Sequence, residues 1–397
     1  MRHIDKLQAR LNDAPDGELR EVMTAQIAAA AANPRPVLET VFANHLAALR
    51  AAPEAWLDLF VTACLLDQLG LAAEMLRAWH GMAGGLHLAT GLTSSRSYPD
   101  ILRWRCDGDG RHDFLFREGM TAHGNADFLF RLFARAFPLI AHAIAGGDMP
   151  AGQVAWNFGD VTMSPGLSYS SGRDDAVLIP DHYFVWRRGY AAERDAIDTA
   201  AAAVTQRTRK AYWRGTTAGE TRKPPQSWLD LQRTRVCRMG RADRLGDLID
   251  AKFTSVTSDL AEPPDTLRRI LTAQGMMAPW AAQQDIVSYA YQIDIDGHTN
   301  SYPGFFLKLY SGLPVLKVAS PFGNRQWYYD RVQPGEHYLP VAADLSDLRR
   351  QILWLRAHPA EAARIGAAGR AVAQAMTYET ELAKGRRIIR QAFAAPG

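Results

Sequence analysis

The sequence predicts an α/β protein whose parallel sheets follow an N-terminal segment of helices. Its 397 residues suffice for two or three domains of ordinary size. From residue 86 to residue 318, short apolar runs of strand type alternate with stretches of helical period. Strands that alternate with helices form βα units and therefore parallel sheets. With 47% hydrophobic residues, the chain can bury a substantial core.

Residues 1–85 are predicted to be helical. Apolar residues recur at the spacing of one helix face before and after Pro34 and Pro36, and glycines from Gly81 onward end the pattern. The strands predicted after it are 101–105, 114–116, 153–158, 176–180, 210–213, 286–295 and 314–318, and the helices between them are 128–144, 191–206, 228–239 and 305–311.

The composition argues against several classes of protein. The net charge of +3 is too small to make nucleic acid or an anionic membrane the expected partner. Cys64, Cys106 and Cys237 are far apart, so neither a disulfide framework nor a cysteine zinc site is expected. The charged N-terminus is unlike a signal peptide, and no apolar run reaches the ~18–20 residues that span a bilayer. We therefore expect a soluble, cytoplasmic protein.

The literal motifs of the common enzymes are absent from the sequence, which contains no GxGxxG, GxxxxGK[ST], HExxH or GxSxG. Asp294-Ile-Asp296 is a DxD pair. In one class of sugar transferases such a pair holds a divalent metal against a diphosphate, because two carboxylates suit a hard cation. Asp296-Gly297 also has the chemistry of a tight turn. Both interpretations stay open.

A polar loop after that predicted strand is the first candidate binding region. Residues 296–302 lead into a helix that begins with Pro303. Ligands of α/β sheets bind beyond the carboxyl ends of the strands, where helix N-termini offer N–H groups to phosphate. Residues 324–331 add two arginines and three aromatic rings, which suit a phosphate and a stacked nucleobase or sugar. The alternative is a surface loop with buried aromatics.

Two further clusters are weaker candidates. Tyr212-Trp-Arg-Gly-Thr-Thr217, followed by Arg222 and Lys223, could form a diphosphate cradle. Asp160 follows a predicted strand and precedes a stretch rich in hydroxyl groups. A carboxylate at that place could act as a general base, although such an aspartate more often caps a turn.

These clusters resemble glycosyltransferase family 90, which contains bacterial lipopolysaccharide- and capsule-modifying transferases and eukaryotic protein O-glucosyltransferases. The similarity covers roughly 150–375. It rests on Tyr212-Trp-Arg-Gly-Thr-Thr217, Tyr291-Gln-Ile-Asp-Ile-Asp-Gly-His-Thr-Asn-Ser301, Arg325-Gln-Trp-Tyr-Tyr-Asp-Arg331, Glu336-His-Tyr-Leu-Pro-Val341 and Asp344-Leu-Ser-Asp-Leu348.

The resemblance implies a GT-B architecture of two Rossmann-like domains, with the helical segment added at the N-terminus. The acceptor-side domain is then expected at 86–206 and the donor domain at 207–375. The last helix, at 376–397, is expected to cross back to the first α/β domain.

The resemblance also implies an inverting, metal-independent transfer of a sugar from a UDP-sugar, typically UDP-glucose or UDP-xylose, to a hydroxyl acceptor. Asp160 matches the family's base. The donor-binding residues implied are Arg214, Gly215, Thr216, Arg222, His298, Thr299, Asn300, Ser301, Tyr302, Lys308, Lys317 and Arg325. The UDP-sugar is a co-substrate, and no cofactor or metal is expected.

The donor loop departs from the family at Pro303, where the eukaryotic members place an arginine that serves the diphosphate. Lys308, Lys317 and Arg325 are the candidates to replace it. A nucleotide-sugar or glycan-binding protein without catalytic activity is the alternative function, and an adaptor that recruits partners through residues 1–85 is another.

The acceptor stays open. A lipopolysaccharide or capsular glycan is expected, and a lipid-linked glycan, a small molecule or a peptide are alternatives. Membrane association is expected to be at most peripheral, at the inner face of the membrane.

Overall fold

The computed structural model describes residues 34–93, 100–219, 227–241, 243–257 and 260–395. The chain divides into two compact units, each with its own β-sheet. The first unit takes the described parts of Met1–Tyr169, Asp175–Trp186 and Leu382–Gly397, and the second takes Ser170–Asp174 and Arg187–Glu381.

The boundary between the units falls before residue 206, where the first α/β domain was expected to end. The helix Ala191–Ala203 belongs to the second unit. Its Asp198 accepts hydrogen bonds from the Tyr310 hydroxyl (2.8 Å) and the Arg370 guanidinium (2.6 Å), which both lie in that unit. These contacts fix the helix to the second unit.

The described part of the N-terminal helical segment is built into the first unit, and residues 1–33 lie outside the described residues. Asp58 pairs with Arg131 of the helix Ala126–Ala145, so the segment does not stand as a separate domain. The helices of the first unit are Pro34–Ala51, Pro53–Leu65, Leu69–His80, Ala126–Ala145 and His182–Trp186.

The sheet of the first unit is mixed. Its strands, in spatial order, are β1 (Gly85–Leu92), β3 (Arg111–Arg117), β2 (Ile101–Cys106), β4 (Gly152–Asn157), β5 (Gly166–Ser168) and β7 (Ala176–Leu178). β2 runs antiparallel to β3 and β4, whereas the other pairs are parallel. The turn between β2 and β3 is too short for a parallel crossover. Asp107 closes this turn by accepting the N–H groups of Asp109 (2.8 Å) and Arg111 (3.0 Å). The expected parallel sheet is therefore only partly present in this unit.

The helix Ala126–Ala145 is the core helix of the first unit. By length and hydropathy it could cross a membrane, but 67% of its most apolar stretch is buried within the fold. Phe133, at its centre, is fully buried and has the rings of Phe114 and Phe116 within 5.5 Å.

The last helix, Tyr378–Ala394, begins in the second unit and belongs to the first from Leu382 onward. Its Phe393 packs edge-on against Trp104 of β2, with ring centroids 4.9 Å apart. Arg386 donates to Asp148 at 2.8 Å and so adds a polar contact within the first unit.

The main sheet of the second unit is parallel throughout. Its strands, in spatial order, are β13 (Leu339–Val341), β11 (Val315–Val318), β10 (Tyr289–Asp294), β8 (Thr208–Thr216) and β9 (Ile249–Ser255). Read from β9, the chain order is 2-1-3-4-5, which is one of the common orders of doubly wound α/β sheets. The helices of this unit are Ala191–Ala203, Gln232–Met239, Pro264–Ala273, Pro303–Tyr310, Leu348–Ala357 and Pro359–Ala375, with the start of Tyr378–Ala394.

A short antiparallel ribbon belongs to the same unit. β6 (Ser170–Ser171) pairs with β12 (Arg325–Gln326). Residues 170–174 therefore lie in the second unit, although the chain on either side of them lies in the first.

We expect Phe133→Ala to lower the free energy of unfolding by about 3–5 kcal/mol, because it removes a ring from a packed aromatic core. Urea unfolding followed by tryptophan fluorescence measures this loss. Phe128→Ala is the matched control, since Phe128 lies on the same helix and is 49% exposed. The control should change the free energy by about 0.5 kcal/mol or less. Equal losses in the two variants would contradict the assigned core.

Candidate functional site

The strand order of the second unit places a candidate site at the carboxyl edge of its sheet. The chain passes from β8 to β9 on one side, and then returns across β8 to β10 and continues to β11. Such a switch point leaves a crevice beyond the strand ends, where ligands bind. A cavity of about 330 Å³ is lined there by residues that follow β8, β10, β11 and β13. The first turn of the helix Gln232–Met239 completes the wall.

A buried cluster of two aspartates and two lysines lies at the end of β10. Asp294 is fully buried and accepts hydrogen bonds from Lys308 and Lys317, both at 2.8 Å. Lys317 also donates to Asp296 Oδ1 at 2.7 Å. The two carboxylates of the DxD pair are therefore bound to ammonium groups of the chain itself.

Asp294 and Lys317 favour the ionised state of each other. Burial alone would raise the pKa of Asp294, but Lys308 and Lys317 outweigh it and hold that pKa well below its usual range. Burial would lower the pKa of Lys317, and Asp294 and Asp296 instead raise it. Lys308 has one aspartate partner, and burial leaves its pKa below the usual value. Lys317 is thus the cation that both carboxylates require.

The loop after β10 is shaped by hydrogen bonds to this cluster. The Ser301 hydroxyl donates to Asp294 Oδ1 (2.8 Å) and accepts the N–H of Phe305 (3.1 Å), so it caps the helix Pro303–Tyr310. The Asn300 amide donates to Asp296 Oδ1 (3.2 Å). Tyr302 has a positive φ of 43°, which is strained for a tyrosine. The loop is held in one shape at some cost in backbone energy.

Arg233 is a central residue of the cavity that the sequence analysis did not single out. Its guanidinium donates to the carbonyl oxygens of Thr216 (3.1 Å) and Asp296 (2.9 Å), and so joins the loops after β8 and β10. It also donates to the Thr216 hydroxyl at 3.2 Å. Arg233 lines the cavity together with the exposed Arg235.

A local signal for these arginines was present in the sequence. Arg233 and Arg235 stand in the first turn and a half of the helix Gln232–Met239. The macrodipole disfavours cations at a helix N-terminus, so arginines there indicate a role other than helix formation.

Three buried acceptor atoms belong to residues that line the cavity. Asp296 Oδ2, Thr299 Oγ1 and Asn324 Oδ1 have no hydrogen-bond partner among the described residues. A buried polar atom left unpaired costs about 1–3 kcal/mol. Such atoms suit a ligand that donates hydrogen bonds, as the hydroxyl groups of a sugar do.

The other expected donor-binding residues lie in different surroundings. Arg214 pairs with Asp250 (2.9 Å) and Arg325 with Asp174 (3.3 Å), so both guanidinium groups already have carboxylate partners. Of the expected set, Thr299 lines the cavity. The members that contact residues lining it include Thr216, His298, Asn300 and Lys317. Gly215, the penultimate residue of β8, lies beside the Trp213 ring, which leaves no space for a side chain. Arg222 lies outside the described residues.

Asp160 lies in the first unit, on the loop after β4. The side chain of the buried Asn157 organises this loop, because its Oδ1 accepts the N–H groups of Met163 and Ser164, both at 3.1 Å. Its amide donates to the carbonyl oxygens of Ser164 (3.0 Å) and Leu167 (3.3 Å). The half-buried Asp160 is therefore carried on a loop of fixed shape.

The described ranges contain no group of three or more histidine, cysteine, aspartate or glutamate side chains arranged to hold a metal ion. In this part of the chain, the DxD pair is a partner of lysines rather than part of a larger carboxylate cluster.

We expect Lys317→Met to lower the free energy of unfolding at pH 7 by about 3–5 kcal/mol, because it leaves a buried carboxylate uncompensated. The difference from the wild type should shrink as the pH falls below ~4, since protonation removes the negative charges that the variant cannot pair. Urea unfolding at pH 7 and at pH 3 measures both effects.

Lys252→Met is the matched control, since Lys252 lies on the edge strand β9, outside the cluster. It should change the free energy by about 0.5 kcal/mol or less at either pH. A Lys317→Met loss that does not depend on pH would mean that packing, not charge, determines the effect.

Comparisons with known proteins cover the chain from residue 143 to residue 380. The family model for glycosyl transferase family 90 matches residues 143–380. Uncharacterized protein 035R of Invertebrate iridescent virus 3 is 32% identical over 166 residues, which are 38% of this chain and 13% of that protein. Protein O-glucosyltransferase 3 of Rattus norvegicus is 34% identical over 90 residues, which are 23% of this chain and 17% of that protein.

Among solved structures, Anabaena Alr3699/HepE in complex with UDP-glucose is similar at 13% identity and a TM-score of 0.31, over 51% of this chain and 53% of that one. The matched regions are short parts of the two curated relatives. The family model, in contrast, spans more than half of this chain and includes both the loop after β4 and the switch-point cavity. The chain belongs to glycosyl transferase family 90.

Proposed function

We propose that this protein is a glycosyltransferase that moves a sugar, glucose or xylose, from a UDP-sugar to a hydroxyl acceptor with inversion. We further propose that its two units correspond to the Rossmann-like domains of the GT-B architecture, with the donor bound by the second. The cavity at the switch point of the second sheet carries this proposal. It combines two arginines, a helix N-terminus and unpaired acceptor atoms in a member of a glycosyltransferase family.

The cavity suits the parts of a UDP-sugar one by one. Arg233 and Arg235 supply positive charge for the diphosphate, and the first turn of their helix adds N–H groups. The unpaired atoms of Asp296, Thr299 and Asn324 accept hydrogen bonds from hydroxyl groups. Phe322, which is 39% exposed at the cavity, offers a ring for stacking. Arg222 and the expected residues of the donor loop are proposed to complete the binding site.

The proposed reaction needs one base and a stabilised leaving group. Asp160 takes the proton of the acceptor hydroxyl while that oxygen bonds to C1 of the sugar, and the bond from C1 to the diphosphate oxygen breaks. UDP leaves with the electron pair of that bond, and the cations of the donor site stabilise its charge. Attack from the face opposite the leaving group inverts the configuration at C1.

We propose a lipopolysaccharide or capsular glycan as the acceptor, met at the inner face of the membrane. Transfer is proposed to need no metal, because positive charge at the diphosphate comes from arginines. The two arginines of the donor cavity support transfer without a metal.

UDP should raise the Tm of the protein in a buffer that contains a chelator, since a ligand at ~100 times its Kd adds ~2.7 kcal/mol to stability.

Arg235→Ala should raise the Kd of UDP about tenfold, because it removes a charge-assisted contact to phosphate. Calorimetric titration with UDP measures this change.

Arg238→Ala is the matched control, since Arg238 lies on the same helix and is exposed but does not line the cavity. Its Kd should equal that of the wild type. Stabilisation that requires manganese would overturn the metal-free assignment, and equal affinities of the two variants would place the diphosphate elsewhere.

Asp160→Asn should reduce sugar transfer by ~10²–10⁴, the contribution of a positioned general base, without changing the Kd of UDP. A product assay measures transfer, and the Tm verifies the fold. Asp113→Asn, on β3 of the same unit, should transfer at the wild-type rate. A well-folded Asp160→Asn variant with normal transfer would exclude this base, and a wild-type protein that binds UDP-sugar without transfer or hydrolysis would favour the non-catalytic alternative.

A further inference from the structure

A second carboxylate lies directly against the backbone next to Asp160. The side chain of Asp100 occupies the space above Gly159, so that a Cβ added at Gly159 would overlap the Asp100 carboxylate. Gly159 is buried, and a glycine is therefore the residue that this contact allows. Asp100 and Asp160 both belong to the first unit.

The backbone holds Asp100 in register with the loop of Asp160. Ile101, the first residue of β2, pairs with Asn157, the last residue of β4. One step further, the carbonyl oxygen of Asp100 accepts the N–H of Phe158 at 2.9 Å. The sheet hydrogen bonds therefore continue into the loop and keep the Asp100 side chain beside Gly159.

The surroundings of Asp100 oppose its ionisation. Burial raises the pKa of Asp100 to about 6, and the negative charge of Asp160 adds to the rise. On β4 and its loop, Asn157, Phe158 and Gly159 carry no titratable group, and the charge that acts on Asp100 from this loop is that of Asp160. A carboxylate kept in such a place costs stability when it is ionised.

We propose that Asp100 is a positioning residue for the proposed base: it fixes the backbone at Gly159, and its negative charge makes Asp160 a stronger proton acceptor. This inference rests on the proposed function, because it assigns a task to Asp100 only if Asp160 accepts a proton. Two carboxylates that repel each other favour a proton on either of them, since protonation relieves the repulsion.

The action of Asp100 depends on its own charge. When Asp100 is protonated, Asp160 takes the proton of the acceptor hydroxyl without a neighbouring negative charge to favour the transfer. When Asp100 is ionised, the proton that Asp160 receives reduces the repulsion between the two groups. Transfer is therefore faster above the pH at which Asp100 ionises.

The first experiment is the pH profile of kcat/KM for Asp100→Asn, which keeps the shape of the side chain and removes its charge. The wild type should show a rise in kcat/KM centred near pH 6, where Asp100 ionises. The variant should lack this rise, and its rate at pH 7.5 should be about three- to tenfold lower. Asp109→Asn, at the exposed turn at the other end of β2, should retain the wild-type profile.

The second experiment measures Tm and separates this role from a structural one. Since the pKa of Asp100 is raised in the folded protein, its ionisation lowers stability as the pH rises through the interval between the unfolded value and about 6. Asp100→Asn should therefore have a higher Tm than the wild type at pH 7.5 and an equal Tm at pH 4. A variant that is more stable and slower at pH 7.5 has lost a functional group.

The outcomes distinguish this inference from the proposed function. If Asp160→Asn abolishes transfer but Asp100→Asn retains the rise near pH 6, the role of Asp100 is wrong and the base stands. If Asp160→Asn transfers normally, the base is wrong. In that case, carbon-13 NMR of the labelled aspartate carboxyls still tests the pair. Removal of Asp100 should lower the pKa of Asp160, and an unchanged Asp160 titration would overturn the coupling.

Discussion

The donor side of this protein depends on a buried ionic cluster at the end of one strand. Burial of a charge costs several kcal/mol, and a favourable geometry with further hydrogen bonds must offset that cost. Asp294 offsets this cost by accepting hydrogen bonds from two lysines and from the Ser301 hydroxyl. The arrangement determines where β10 ends and where the helix Pro303–Tyr310 begins. It also fixes Asp296, one wall residue of the cavity, relative to the sheet.

The cations near the site differ in their partners. Lys308 and Lys317 neutralise the DxD pair, while Asp250 and Asp174 bind Arg214 and Arg325. The positive charge at the cavity thus comes from Arg233 and Arg235, on a helix that the loop after β8 precedes. Pro303 is the first residue of its helix, and the Ser301 hydroxyl accepts the N–H of Phe305 in the first turn. The start of this helix is therefore stabilised without a cation at position 303. The departure from the family pattern is therefore compatible with a cavity that contains cations, because Arg233 and Arg235 come from another element.

Much of the fold could be predicted from the periodicity of apolar residues in the sequence. The candidate site could be predicted only in part. The alternation of strands and helices predicted the parallel sheet of the second unit, since each crossover has the length of a βα unit. The DxD pair could not be interpreted locally, because its partners Lys308 and Lys317 follow Asp294 by 14 and 23 residues and meet it only through the βαβ crossover. Arg233 is bound by backbone carbonyl oxygens of Thr216 and Asp296. Every residue has such an oxygen, so the sequence pattern could not predict these contacts. Asp100 was missed for the same reason, since its contact is with the backbone of Gly159.

The path of the chain through the two units has a consequence for biosynthesis. The second unit is formed largely by one continuous stretch, Arg187–Glu381, whereas the first needs residues from Leu382 onward to cover Trp104 with Phe393. During translation, the N-terminal sheet and its helices leave the ribosome long before this last helix. Part of the core of the first unit therefore stays exposed to solvent while the second unit is synthesised. Exposed apolar surface promotes aggregation. Its final folding step joins residues that are distant in sequence, and such contacts form slowly. The unit that is synthesised first is thus completed last. We expect chaperones to bind the nascent chain at the exposed core of this unit.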